Sequence, residues 1–270
     1  VGFLIIVLFM KITSKPIIFT THYPFLTSCR VTLFFFGFSS FYISLTIMPL
    51  ATATALFFVS PFLITIFAKF LLKEQIGPRR WLAVLIGFVG VYIILNPNFD
   101  NFDYLSLTPM FCAFCYSLSI IIIKKTSVKD NVYSQILQFY IGAAIFSLIF
   151  YFLIGDGQYN TIDHPAYQFI FQKWFSNSKI TLPYLIAIGF IAAFSFLLIF
   201  TAYRISSPSV ISPFEYSIML WATFYGWIFF DEIPDLKTII GMSLIVFGGI
   251  YIFIREKVKD QLIVTEKPLR

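Results

Sequence analysis

The stretch from Pro49 to Pro97, PLATATALFFVSPFLITIFAKFLLKEQIGPRRWLAVLIGFVGVYIILNP, is two apolar runs joined by a short charged turn from Lys73 to Arg80. Each run supplies about the 20 apolar residues that carry a helix across roughly 30 Å of hydrocarbon. Gly77-Pro78 in the turn ends one helix and prepares the next. The stretch reads as a helical hairpin in a bilayer, and the rest of the chain agrees with it. Its 270 residues are 59% hydrophobic, 20% aromatic and only 12% charged, with a mean hydropathy of +0.87. Too few polar residues remain to cover a water-facing surface. A transmembrane barrel needs short alternating strands, whereas these runs are continuously apolar, so the fold class is an all-α polytopic membrane protein.

The net charge of +6 would suggest nucleic acid in a soluble protein, but here the basic residues sit in short loops between spans, where they set orientation. Nucleic-acid binding is excluded on that ground. Three cysteines make no disulfide framework, and Cys112 and Cys115, one helical turn apart in an apolar span, have no second ligand pair for a metal. No cofactor is implied. The chain opens at Val1 inside an apolar run and reads as incomplete or alternatively started.

Charged and Pro/Gly-rich breaks divide the chain into nine apolar segments, at about 1–19, 30–48, 52–72, 80–96, 104–123, 132–154, 182–200, 208–230 and 238–254. Alternate sides of these segments differ sharply in charge. One side collects Lys11, Lys15, Arg30, Lys69, Lys73, Arg79, Arg80, Lys124, Lys125, Lys129, Arg204 and the five basic residues after Ile254, sixteen of nineteen. The other has only Lys173, Lys179 and Lys237, beside seven acids. A missed span in the middle would swap every later charge, so the basic side, with the C-terminal tail, is assigned to the cytoplasm. The external loop 155–181 carries the aromatic run Tyr167 to Trp174, which suits the headgroup level.

The opening stretch has an echo between Ser206 and Glu256, SSPSVISPFEYSIMLWATFYGWIFFDEIPDLKTIIGMSLIVFGGIYIFIRE. In both copies a proline precedes an aromatic-rich helix, an acidic turn follows (Lys73-Glu74 against Asp231-Glu232), and a Gly-containing helix closes on an aromatic. The charge count puts the first turn in the cytoplasm and the second outside, so the copies run in opposite directions, as in the inverted repeats of many secondary transporters. Aligned on these turns, the second half has five helices and the first four, which places one helix upstream of Val1. The domains expected are a first repeat over 1–97, a second over 98–256 and a cytoplasmic tail over 257–270.

The string from Met48 to Pro97 resembles the first-half signature of the EamA-type transporters of the drug/metabolite transporter superfamily, and SPFEYSIMLWATFYGWIFFDEIPDLKTIIGMSLIVFGGIYI resembles the second-half signature of a bacterial branch that includes S-adenosylmethionine uptake carriers. The resemblance covers nearly all of 30–256. It implies ten helices as inverted repeats of five-helix bundles, nine of them in this chain, in a bacterial inner membrane with both termini cytoplasmic.

Glu215 is the acid placed within a span, about two turns into the eighth segment. An ionisable group at that depth costs about 2.5–3.5 kcal/mol on insertion scales, so it faces a cavity or a partner. A carboxyl there that takes up and releases a proton couples transport to a proton gradient, and an ionised one holds a cationic substrate group. The plainer alternative is that Glu215 pairs with Arg204 or caps the helix start broken by Pro213. Ser60-Pro61, mid-span in the third segment, is the second candidate, because proline frees a backbone carbonyl that a neighbour, water or substrate must satisfy. Tyr116, Gln138, Tyr216 and Trp221 complete the candidate set as polar or aromatic groups in spans that could stack on a planar substrate or embrace a cation. Lys73-Glu74 and Asp231-Glu232 read first as solvated turns and second as gate charges.

Against an enzyme stand the absence of HExxH, GxSxG and phosphate-loop motifs and the placement of His22 and His164 in loops. The expectation is a secondary transporter that alternates access to a central cavity. Its partners are a small organic metabolite, S-adenosylmethionine-like or otherwise nucleoside- or amino-acid-type, and the lipid bilayer, with a homodimer as a further candidate. A lipid- or acyl-modifying membrane enzyme and a non-transporting scaffold are the alternatives.

Overall fold

A computed structural model describes residues 1–74, 77–95, 104–174, 178–211, 214–215 and 217–260. Among them every regular element is helical: α1 (Gly2–Ile12), α2 (Pro24–Ser44), α3 (Leu50–Phe57), α4 (Ser60–Leu71), α5 (Pro78–Leu95), α6 (Thr108–Thr126), α7 (Val132–Ile154), α8 (Pro165–Phe171), α9 (Ser178–Ile205), α10 (Pro208–Ile211), α11 (Ser217–Phe230) and α12 (Leu236–Asp260). Among the described residues five stretches are long and apolar enough to cross a membrane: Pro24–Ser44, Leu50–Leu71 taken through its break, Tyr104–Thr126, Val132–Ile154 and Leu182–Ile205. Shorter apolar helices over Gly2–Ile12, Leu85–Leu95, Ser217–Phe230 and Leu236–Gly248 occupy the remaining apolar runs.

Local chemistry sets the helix ends. Proline, whose missing N–H costs nothing at a first turn, opens α2, α5, α8 and α10. Asn131 caps α7 by accepting the Ser134 N–H at 2.7 Å. Several boundaries differ from the sequence reading, and two of them change where a residue lies. The first helix stops at Ile12 rather than near 19, because Thr13 and Ser14 turn the chain back, with Thr13 Oγ1 donating to Phe9 O at 2.7 Å and Ser14 at φ 53°. The second begins at Pro24 rather than at Arg30, so Arg30 lies inside α2 and is fully buried, not at a helix edge. Between α7 and α9 the aromatic run coils into α8, whose first turn is capped by His164 Nδ1 accepting the Ala166 N–H.

The helices form two compact units. One comprises Val1–Ile47 and Leu118–Ser206, the other Met48–Ser117 and Ser207–Arg270, so α6 contributes to both. Each unit draws on both halves of the chain. The sequence repeat is thus a property of chain order and the units a property of packing.

In the first unit α7 packs against α1, α2 and α9. Its centre is aromatic: Phe34, buried, stacks on Phe200 at 5.8 Å, meets Phe139 edge-on at 5.3 Å, and Phe139 lies 4.7 Å from Phe196. Large apolar side chains on the outer face of α9, such as Tyr184, Ile188 and Leu198, are exposed as a lipid-facing surface requires.

In the second unit α3 packs on α11, α4 on α10 and α5 on α12, so that each contact joins an element of the first half to one of the second and segment 50–71 lies along segment 208–230. Because α3 precedes α4 while α10 precedes α11, the paired segments run antiparallel, which is the geometry of an inverted repeat. The α5–α12 crossing is the tightest: a Cβ on Gly90 would stand 2.7 Å from Gly241 O, and one on Gly241 2.6 Å from Gly90 O. Small residues at the crossing let the backbones approach, the usual device where lipid removes the hydrophobic drive between helices.

The two turns repeat each other in detail. After α4, Lys73 adopts φ 60° and the Glu74 N–H closes on Ala68 O at 3.2 Å; after α11, Asp231 adopts φ 54° and the Glu232 N–H closes on Gly226 O at 3.1 Å. Both ends turn the chain at a non-glycine residue in the left-handed region, the usual place for a helix to stop. Each glutamate then reaches the start of the opposite segment: Glu232 Oε2 accepts the Leu50 N–H at 2.8 Å, and Ser207 Oγ, one residue before α10, donates to Glu74 Oε1 at 2.7 Å. These acids therefore fasten helix ends and are not merely solvated turns.

Candidate functional site at two facing helix breaks

The site lies in the second unit, where both long segments are interrupted. Between α3 and α4 the helix loosens at Phe58 and Val59. The Phe58 N–H closes on Thr54 O at 3.1 Å and the Val59 N–H falls back to Leu56 O at 3.3 Å, while Pro61 brings no N–H to the next turn. In the other segment Phe214 and Glu215, between α10 and α11, lie in a 3-10 turn and not in α-helix. Since α3 packs on α11 and α4 on α10, the two breaks face each other.

Consecutive residues of α6 reach both. Tyr116 donates its hydroxyl hydrogen to Glu215 Oε1, and Glu215 is only 8% exposed. Ser117 Oγ lies 3.0 Å from Ser60 O and 2.6 Å from Ala113 O, and its single proton serves one of them at a time. Ser60 Oγ is buried and has no hydrogen-bond partner among the described residues. The Phe57 ring leans on Tyr116 at 5.4 Å, and the apolar wall around the breaks includes Leu56, Phe58, Val59, Phe62, Ala113 and Met219. The result is a carboxyl, a phenol and two hydroxyls set at interrupted backbone within an apolar shell. Such a group of atoms can hold and release a proton or grip a cationic substrate group by charge and by the aromatic face.

The structure thus brings together Glu215, Tyr116 and the Ser60-Pro61 break. Gln138 lies elsewhere, in the first unit, where Oε1 accepts from Arg30 Nη2 at 3.2 Å and Nε2 faces Thr20 O at 3.2 Å. Trp221 is 56% exposed on α11 and stacks on Tyr225 at 5.8 Å. Pro213 and Tyr216 fall outside the described residues. The proposed Glu215–Arg204 pairing does not occur: Arg204 donates to Asp130 O at 2.6 Å, Gln135 Oε1 at 3.0 Å and Ser127 O at 3.3 Å, all in its own unit. Cys112 and Cys115 are buried free thiols, and no cluster of metal-ligating side chains occurs among the described residues. Sequence reasoning missed the burial of Arg30, although Pro24, six residues upstream, marks the true helix start.

Apolar spans in this number define a polytopic helical membrane protein. The chain belongs to the EamA-like transporter family, whose model matches residues 1–96 and 105–254. It is 28% identical over 237 residues to the S-adenosylmethionine uptake transporter of Rickettsia prowazekii (strain Madrid E), spanning 88% of this chain and 74% of the relative. It is 27% identical over 205 residues to the riboflavin transporter of Vibrio cholerae serotype O1, spanning 76% and 63%. One solved crystal structure superposes with a TM-score of 0.64 over 95% of this chain and 84% of the other at 16% identity, a likeness of fold. The protein is a bacterial multi-pass membrane transporter of small molecules, not an enzyme.

Proposed function

We propose that the protein is a secondary-active carrier of the inner membrane that moves a small organic metabolite, with a nucleoside- or amino-acid-type solute such as S-adenosylmethionine as the leading substrate. The observation that carries this reading is the Glu215 carboxyl, buried at a helix break and hydrogen-bonded by Tyr116. Ligand or proton binding there biases an equilibrium between inward-open and outward-open states by its differential affinity for them. The broken helices supply the flexible backbone that such a change needs. The positive side of the chain, including the C-terminal tail, faces the cytoplasm in this reading, and the two repeats over 1–97 and 98–256 exchange roles on its two sides.

The test is uptake of labelled S-adenosylmethionine by proteoliposomes at several pH values. Glu215→Gln should insert normally and lose uptake or its pH dependence. Uptake at the wild-type rate with unchanged pH dependence would remove Glu215 from the mechanism. A reporter fused after residue 270 checks orientation: it should be active only as a cytoplasmic fusion.

A further inference from the structure

The second unit carries a groove outside the site at the helix breaks. Its walls are one stripe of α11, with Leu220, Thr223 and Trp227, and one stripe of α12, with Ile239, Ser243 and Phe247, and it encloses about 820 Å³. The matching place in the other half of the chain is closed. Aligned on the turn glutamates Glu74 and Glu232, Phe62 corresponds to Leu220 and Gly87 to Ile245. Phe62 is buried, and it lies so close on Gly87 that a Cβ there would collide with its ring. In the second copy no glycine offers that seat: Ile245 fills its own place in the core, and Leu220 is left 74% exposed. A ring thus closes α4 on α5, while α11 and α12 leave a gap between their stripes.

The walls of the groove select hydrocarbon. Its two hydroxyls are turned back onto their own helices, Thr223 Oγ1 donating to Met219 O at 3.0 Å and Ser243 Oγ to Ile239 O at 2.8 Å, so neither asks for a polar occupant. Along the helix axis each stripe, Met219 to Trp227 and Ile239 to Phe247, rises about 12 Å, close to half of the roughly 30 Å hydrocarbon layer. That is the depth of one leaflet. One end of the groove is charged. Ile233 and Pro234 border it there, in the turn that also holds Asp231, Glu232, Asp235 and Lys237. Glu232 is committed to the Leu50 N–H, whereas Asp231, Asp235 and Lys237 are exposed, and Asp235 is fixed at the start of α12 by accepting the Thr238 N–H at 2.9 Å. Acids outnumber the one base at this mouth, so it attracts a cation and offers a single contact to an anion.

We propose that the α11–α12 groove binds a phospholipid whose headgroup ends in a primary ammonium, with an acyl chain between the two stripes, the ammonium at Asp231 and Asp235 and the phosphate at Lys237. An ammonium donates charge-assisted hydrogen bonds to carboxylates. A choline headgroup has no N–H to donate, and a glycerol headgroup brings only the negative phosphate to a mouth rich in acids. Such a site is independent of what the protein carries.

The experiment offers the full chain, purified in detergent, an equimolar mixture of phosphatidylethanolamine, phosphatidylcholine and phosphatidylglycerol with identical acyl chains, and counts bound lipid by native mass spectrometry. The ethanolamine lipid should be retained over each of the others by roughly threefold or more, the size expected of an exposed ion pair. Ser243→Trp, which fills the groove from an exposed position, should lose the bound lipid. The double variant Asp231→Asn, Asp235→Asn should keep a bound lipid and lose the preference among headgroups, since asparagine preserves both the left-handed turn and the helix cap. Should Ser243→Trp not fold, the preference of the wild type and its loss in the asparagine variant still decide. Equal retention of the three lipids, an excess of either of the others, or an ethanolamine-lipid excess that survives Ser243→Trp overturns the proposal. So does the absence of any bound lipid, or a mass of two chains that Ser243→Trp returns to one, which would make the groove an interface between copies.

Discussion

At the scale of single residues, the tyrosine of the central site and the aspartate of the loop after α6 carry separate predictions. Tyr116→Phe removes the hydrogen bond to Glu215 while keeping the ring against Phe57. A hydrogen bond to a charged group contributes about 1.5–3 kcal/mol, so uptake should fall roughly tenfold with little change in folding. Asp130 lies outside the spans. Burial raises its pKa, but the His22 N–H, the Thr21 hydroxyl and the His22 ring outweigh that and hold it below the ordinary carboxylate value. A depressed folded-state pKa means that the stability it adds is present above about pH 4 and is lost as pH falls through the folded value. Acid unfolding of Asp130→Asn should accordingly be less steep below pH 4 than that of the wild type. Glu215 and the Ser60-Pro61 break were legible in the sequence because an acid and a proline inside apolar runs are conspicuous. Arg30 was not, because a basic residue near a run's end looks like a loop charge until the helix start at Pro24 is recognised.

At the scale of elements, the segments 50–71 and 208–230 are fastened to each other at both ends by glutamates in equivalent positions. Glu232 caps the first N–H of α3, and losing such a cap costs about 1 kcal/mol. Glu232→Ala should lower the thermal midpoint measurably, and Glu74→Ala should lower it less, since Ser207 loses a side-chain partner and not a backbone one. The crossing of α5 and α12 is stricter. Gly90→Leu would drive a side chain into the Gly241 carbonyl and should prevent folded protein from accumulating, whereas Gly87 and Gly90 variants cannot be compared by propensity alone, because Gly87 meets the movable Phe62 ring. The pairing of Lys73-Glu74 with Asp231-Glu232 was visible as a sequence echo. Their capping role was hidden, because it depends on which helix start lies opposite each turn.

At the scale of the whole molecule, composition and run length sufficed for a polytopic helical protein, and the alternation of basic and acidic loops is the sequence's argument for opposite directions in the two copies. The compact units could not be read the same way. They take helices from both halves of the chain, and such long-range pairing leaves no local signature. The polar candidates scattered along the spans are likewise sorted only by packing: Tyr116 to the breaks, Gln138 to Arg30, Trp221 to an exposed face. An alternating carrier worked through Glu215 exchanges solute across the bilayer. Counterflow tests it most directly: proteoliposomes loaded with unlabelled S-adenosylmethionine are given a trace of labelled solute outside. Wild-type vesicles should accumulate label transiently, and Glu215→Gln vesicles should not. Entry of label that ignores the internal load, or an overshoot of equal size in Glu215→Gln, would contradict it.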